Sequence, residues 1–408
     1  MIVPNIDPVP APPVTEPALP TNLRLVPVLA PLAGLVIKGL LLTIVTLGFY
    51  RFWYKTALRR YYWNNTTLAG DGFEYTGTGK ELFVGFLIGI AIVLPLYFAV
   101  TLVSIFGGAL LGPILAAVLT SGIAPAVFLM LAYRGRRYRL ARTRYYGVRF
   151  HQTGSGMGYL LRTVKWLILT ALTLGILVPY LRRALERYKI ENTWYGSAQG
   201  SFAAPVKPLM KIWLVLWFGA LLVIFLSIGA PILYSSGMTA LGGVLTALLP
   251  MLGLALWGVW VHYRVCEFRL FLAGTEFAGI TLESGLRTRS VIWAQVRYGL
   301  ILLAIVAVPI GLSVMTALKA KVSPAMDGGL ETFLTGPLGG SLSALMAFGV
   351  FVLFALVTEI LLRRRLWQLR AQSVTVGNLG ALDRIIQQAG SETGGVGDAF
   401  DTGFDVAG

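Results

Sequence analysis

Five cations stand where chemistry with an anion is possible: Lys38, Lys165, Arg60, Arg187 and Lys80. Four of them form pairs, because Lys38 recurs as Lys165 and Arg60 as Arg187 at a single offset of 127 residues. Lys38 and Lys165 each interrupt a short apolar segment, and a lysine at mid-membrane costs about 3 kcal/mol. Such a lysine either snorkels to the surface or points into a cavity between repeats, where water, phosphate or a carboxylate must satisfy it. Arg60 and Arg187 lie among Trp53, Tyr61, Tyr62, Trp63, Tyr188, Trp194 and Tyr195. Rings at headgroup depth with cations on anionic lipid make an interfacial belt, and the same residues suit a specific headgroup or anionic-solute site. Lys80 closes Gly77-Thr78-Gly79-Lys80 just before an apolar run. A nucleotide phosphate loop would need glycine at position 74 and Ser or Thr after the lysine. Glu74 and Glu81 occupy those places, which argues against nucleotide. What survives is a helix start whose free N–H groups, with Lys80, could hold a lipid phosphate.

Other reactive chemistry is sparse. Cys266 is the sole cysteine and has no evident His/Asp partner set, so no catalytic thiol is expected. His151 and His262 are read as lacking Cys or His at ligand spacing, so neither a metal nor a cofactor is expected. No nucleophile–base constellation is visible, and the chain is not expected to be an enzyme. Glu359 stands one helical turn before Arg363 and should pair with it. Asn65-Thr66 and Asn192-Thr193 should close turns through side-chain to backbone hydrogen bonds.

The elements that must position these residues are membrane elements. The chain has 408 residues, of which 56% are hydrophobic and only 13% charged. Soluble domains carry about 25% charged residues. The net charge of +16 sits at the ends of apolar runs. The positive-inside rule and anionic headgroups account for it, so membrane lipid rather than nucleic acid is the expected partner.

Six segments are long enough to span: 82–106, 108–133, 209–234, 239–263, 298–318 and 341–362. Two more are short, because Lys38 leaves only Gly39 to Tyr50 and Lys165 with Arg182 leaves only Trp166 to Leu181. Six spans plus two re-entrant or interfacial segments place every basic cluster on the cytoplasmic side, except Lys319 and Lys321. The alternative of eight spans moves clusters 182–211 and 264–297 outward, against that rule. The expected class is therefore an all-α membrane protein with both termini cytoplasmic.

The repeat also includes Thr46-Leu47-Gly48 with Thr173-Leu174-Gly175, and Arg137, Arg142, Gly147 and Phe150 with Arg264, Arg269, Gly274 and Phe277. Between the apolar runs, strand-like stretches with Gly turns read as small β-hairpin connectors. The organisation expected is a Pro-rich disordered tail (1–24), a first membrane repeat (25–157), a second (158–284), a C-terminal membrane region with a degenerate copy (285–390), and a disordered acidic tail (391–408).

Residues 46–81 run from Thr-Leu-Gly-Phe-Tyr-Arg-Phe-Trp to Phe-Glu-Tyr-Thr-Gly-Thr-Gly-Lys-Glu. This stretch resembles the YjgN family of bacterial inner-membrane proteins, and the resemblance extends over most of 28–390. It implies a multi-pass inner-membrane protein and carries no catalytic or ligand residues with it. Two functions fit the sequence: a transporter or channel for a small solute or lipid, with its path between the repeats, or a non-catalytic scaffold or lipid-interaction protein that works through its basic aromatic loops.

Overall fold

The computed structural model describes residues 29–385, apart from parts of 109–123 and all of 323–336, together with two short strands near residue 23. Those strands are β1 (Thr21–Asn22) and β2 (Arg24–Leu25). Helix α1 (Leu29–Val45) and helix α2 (Arg51–Asn64) follow as a hairpin. Strands β3 (Thr66–Leu68), β4 (Asp71–Gly72) and β5 (Glu74–Tyr75) lead into α3 (Gly79–Phe106). Helix α4 (Ala124–Ala141), β6 (Thr143–Tyr145) and β7 (Val148–Gln152) lead to a second hairpin, α5 (Gly156–Leu172) and α6 (Val178–Glu191). Then come β8 (Thr193–Tyr195), β9 (Ala198–Phe202), α7 (Lys207–Ser235) and α8 (Thr239–Ala273). The chain ends with β10 (Thr275–Phe277), β11 (Ile280–Ser284), α9 (Thr288–Val322), α10 (Pro337–Val357), a π-helical turn (Thr358–Arg363), α11 (Arg364–Ser373) and β12 (Val374–Gly377).

Among the described residues, five stretches are helical, long and apolar enough to cross a membrane: Gly79–Phe106, Lys207–Ser235, Thr239–Ala273, Thr288–Val308 and Ala344–Ser373. They match five of the six expected spans. The sixth, 108–133, falls partly outside the described residues.

Each short apolar segment is the first arm of a helical hairpin. At 17 residues, α1 and α5 reach about 25 Å. Both end in the same turn. Leu47 and Leu174 take positive φ of 50° and 51°, each followed by a positive-φ glycine, Gly48 or Gly175. Gly48 N–H donates to Thr43 O at 2.7 Å, and Gly175 N–H to Thr170 O at 2.8 Å, closing the helix end in the Schellman manner. Thr46 Oγ1 then accepts from Tyr50 N–H and Thr173 Oγ1 from Leu177 N–H, which starts the returning arm. In the first hairpin the arms touch closely: a Cβ on Gly39 would lie 2.0 Å from Tyr54 Cδ2. Leu32 and Val36 of α1 bury against Tyr54, Leu58 and Tyr62 of α2, with Ile360 and Trp367 packed alongside.

The mostly helical architecture is consistent with the all-α class, and the connectors add a sheet to it. Their strands do not stand as separate small hairpins but pair edge to edge in the antiparallel order β1-β12-β11-β10-β9-β8-β7-β6-β5, with a second set β2-β3-β4. One residue separates β1 from β2, and Phe73 alone separates β4 from β5. The pairings therefore return on themselves, which leaves few exposed strand edges. Leu68, Tyr145, Tyr195, Ile280, Val374 and Val376 form a shared core there, sealed by Ile385. Four helices enter their strands through a buried threonine. Thr66, Thr143, Thr193 and Thr275 each donate to the carbonyl four residues back, at 2.7–2.8 Å. Tyr195 donates to Tyr145 O and Tyr145 to Leu68 O, each at 2.9 Å, so neighbouring hairpins are bolted together.

The 127-residue offset holds for α2 with α6 and for β3 with β8, but not for Gly147 with Gly274. Gly147 and its neighbour Tyr146 form a positive-φ hairpin turn, whose structural counterpart is Ala278-Gly279. Gly274 caps α8, and a Cβ on it would strike the Ala204 backbone at 2.6 Å.

Candidate functional site

Helix α2 presents Arg60 to a groove bounded by Leu35 of α1 and by the start of α3. Tyr75, Gly77 and Thr78 bring the chain back past that groove. Gly79 is pressed onto Trp53: a Cβ there would lie 2.7 Å from the indole Cγ and 2.8 Å from Trp53 Cα. Only glycine lets α3 start so close to α2. The result is an open groove of ≈ 610 Å³ whose lining includes Tyr50, Trp53, Arg60, Tyr61, Thr78 and Lys80. The structure therefore brings Arg60 and Lys80, two of the five cations singled out above, to one site.

The electrostatics favour an anion. Arg60 Nη2 donates to Gly77 O at 2.9 Å, which fixes the guanidinium at the groove wall. Thr78 Oγ1 caps Glu81 N–H at 3.3 Å and Thr78 O accepts from Leu82 N–H at 3.4 Å, while the N–H groups of Gly79 and Lys80 come before the first helical acceptor. The adjacent acid does not neutralise Lys80. Glu81 is held by Arg142 at 3.1 Å and by the Tyr138 hydroxyl. Lys80 is exposed and makes no ion pair among the described residues. Tyr50 stacks on Trp53 with centroids 6.2 Å apart, giving the groove an aromatic wall. Burial pushes the Tyr61 phenol up, against the pull of Arg364, so it stays a neutral hydrogen-bond donor.

The other three cations lie elsewhere. Lys38 and Lys165 are exposed on α1 and α5, without an ion pair or hydrogen bond among the described residues. Arg187, the partner of Arg60 in the repeat, is folded onto its own helix by Glu191 at 2.6 Å. The first copy has Asn64 at that position, which leaves Arg60 free to face the groove. Asn65 and Thr66, like Asn192 and Thr193, do close the helix ends through backbone carbonyls. Glu359 pairs with Arg363, as the one-turn spacing requires.

One constellation was missed. His262 and Cys266 are four residues apart on α8, and the sulfur lies 3.6 Å from His262 Nε2. On a helix four residues return to the same face, but the sulfur is 3.9 Å from Nδ1 as well, so it lies over the imidazole ring and not on the Nε2 lone-pair axis. The signal was present in the sequence as His-x-x-x-Cys.

The membrane-length helices, five among the described residues and joined through a sheet made of their connections, define a multi-pass helical membrane protein. The chain belongs to a bacterial protein family of unknown function (DUF898), whose profile matches residues 30–403. It is 30% identical over 139 residues to the inner membrane protein YjgN of Escherichia coli strain K12, and 31% identical over 139 residues to that of E. coli O157:H7. Each alignment covers 34% of this chain and 33% of the relative, so the match spans about a third of the relatives' length. No solved structure matches the chain.

Proposed function

We propose that this chain is an inner-membrane protein that engages anionic lipid headgroups at the Arg60–Lys80 groove, without catalysing a reaction. The observation that carries the proposal is the convergence of Arg60, Lys80, the open helix start of α3 and an aromatic wall on one groove. A phosphate oxygen meets two cations and free N–H donors there, while the rings sit at headgroup depth. The lipid reading is favoured over a solute path between the repeats by the exposure of the spans. In each membrane-length helix at most 6% of the apolar window is buried.

The proposed topology places all hairpin connectors and both termini on the cytoplasmic face. Strand β7 pairs with β8, and β9 with β10, joining segments 134–165, 182–211 and 264–297 in one ladder. Strands of two to five residues are too short to cross a bilayer, so the ladder is read as lying on one side of it, and α1–α2 and α5–α6 as hairpins that dip in and return. Their tips, Leu47 and Leu174, are 90% and 79% exposed apolar side chains suited to lipid.

The test is lipid retention by the full chain purified in detergent with mixed phosphatidylglycerol and phosphatidylethanolamine, read by native mass spectrometry. Each cation near an anionic surface contributes about 1 kcal/mol, so Arg60→Ala with Lys80→Ala should weaken phosphatidylglycerol retention roughly 30-fold. Lys165→Met should leave retention unchanged. Equal retention by the double variant and the unaltered chain would sink the proposal.

A further inference from the structure

We propose that the acidic segment 398–405 of this chain docks in the Arg60–Lys80 groove, so that an anionic lipid must displace it to bind. The inference rests on the lipid reading of that groove for what displaces the segment. Residues 386–408 lie outside the described residues, and their chemistry is read from the sequence. They hold Glu392, Asp398, Asp401 and Asp405 and no Lys or Arg, in a chain of net charge +16. Three aspartates and two phenylalanines, Phe400 and Phe404, fall within the eight residues 398–405. The groove is the complement of that chemistry. Lys80 is exposed and makes no ion pair among the described residues. Arg60 Nη2 is anchored on Gly77 O at 2.9 Å, which holds the guanidinium at the wall for a charge-assisted bond to a carboxylate. The stacked pair Tyr50 and Trp53 offers an aromatic face on which a phenyl ring can pack.

The described chain ends within reach of the groove. Ile385 is buried in the same core cluster as Leu68. Leu68 lies four residues past Asn64, which lines the groove, and four residues span at most about 14 Å. Twelve residues, 386–397, separate Ile385 from Asp398, and a chain of that length reaches up to about 40 Å. Tethering makes a weak contact sufficient, because a tethered segment presents itself at about millimolar effective concentration. Charge also selects the side. The neighbouring groove shares Asn64 but carries Asp71 and Glu74 against Arg144, a net negative lining. Like charge turns an aspartate segment away from there, and Arg60 and Lys80 draw it to their own side.

The experiment places the photo-cross-linker benzoylphenylalanine at Phe400 of the full chain, in detergent with no phosphatidylglycerol added. Peptide mapping should find its cross-links within residues 50–61 and 78–80 of the same chain. Arg60→Ala with Lys80→Ala should remove most of them, and added phosphatidylglycerol should do the same. Asp398→Asn, Asp401→Asn and Asp405→Asn together should raise phosphatidylglycerol retention about threefold, as loss of a tethered competitor at millimolar effective concentration requires. The same aspartate changes should leave retention unmoved in the Arg60→Ala, Lys80→Ala background. Cross-links that miss the groove, or that join only two copies of the chain, would overturn the proposal. The two readings fail separately. A groove that holds no lipid leaves retention indifferent to its cations while the cross-link persists. A segment that does not dock leaves retention sensitive to those cations and indifferent to the aspartates.

Discussion

Arg182 grips Glu267 with both arms of its guanidinium, Nε at 2.6 Å from Oε1 and Nη2 at 3.1 Å from Oε2. This fork ties the returning arm of the second hairpin to α8. Arg264 adds a contact to Oε2 at 2.7 Å, and the carboxylate is only 4% exposed. The paired oxygens suit the planar fork of arginine and would not suit lysine.

Glu267→Gln should therefore destabilise the protein. Losing one partner of a buried ion pair costs about 3–5 kcal/mol, because the other partner is left uncompensated. Arg182 is 44% exposed and can rehydrate, so the expected loss is the smaller value of about 2 kcal/mol. Thermal unfolding in detergent should show a clear fall in Tm. Adding Arg182→Met should recover part of that loss, and an unchanged Tm in the single variant would deny the fork a structural role.

Gly79→Ala should damage the groove without touching its cations. The new methyl would meet both the Trp53 ring and its Cα, and backbone cannot swing aside as a ring can. Overpacking of this kind costs about 1–3 kcal/mol. The α3 start should shift away from α2, with a fall in Tm and weaker phosphatidylglycerol retention. Retention at the level of the unaltered chain would show that the close approach of α3 is not what shapes the site.

Accessibility labelling tests the shared face. Ser197 and Ala278 lie at exposed turns of the ladder. In a Cys266→Ser background, Ser197→Cys and Ala278→Cys should both resist a membrane-impermeant maleimide added to intact spheroplasts. Both should label once the membrane is opened. Labelling of Ser197→Cys alone in intact spheroplasts would mean that the second hairpin crosses the bilayer.

The sequence by itself determined the membrane class and the positions of the long helices, because a run of twenty apolar residues has few alternatives in water or lipid. It also determined the repeated hairpin turn, since Thr-Leu-Gly carries its own capping chemistry at both copies. Only the tertiary structure decided how the connectors combine. Each strand is two to five residues long, too short to announce a partner, and its register depends on tyrosines and threonines that reach across 77 and 92 positions. The same holds for the groove. Arg60 and Lys80 were visible as cations, but their convergence depends on Gly79 packing against Trp53, a contact that no periodicity encodes. Arg60 and Arg187 look equivalent in sequence. A single neighbour, Asn64 against Glu191, leaves one at the groove and turns the other onto its own helix.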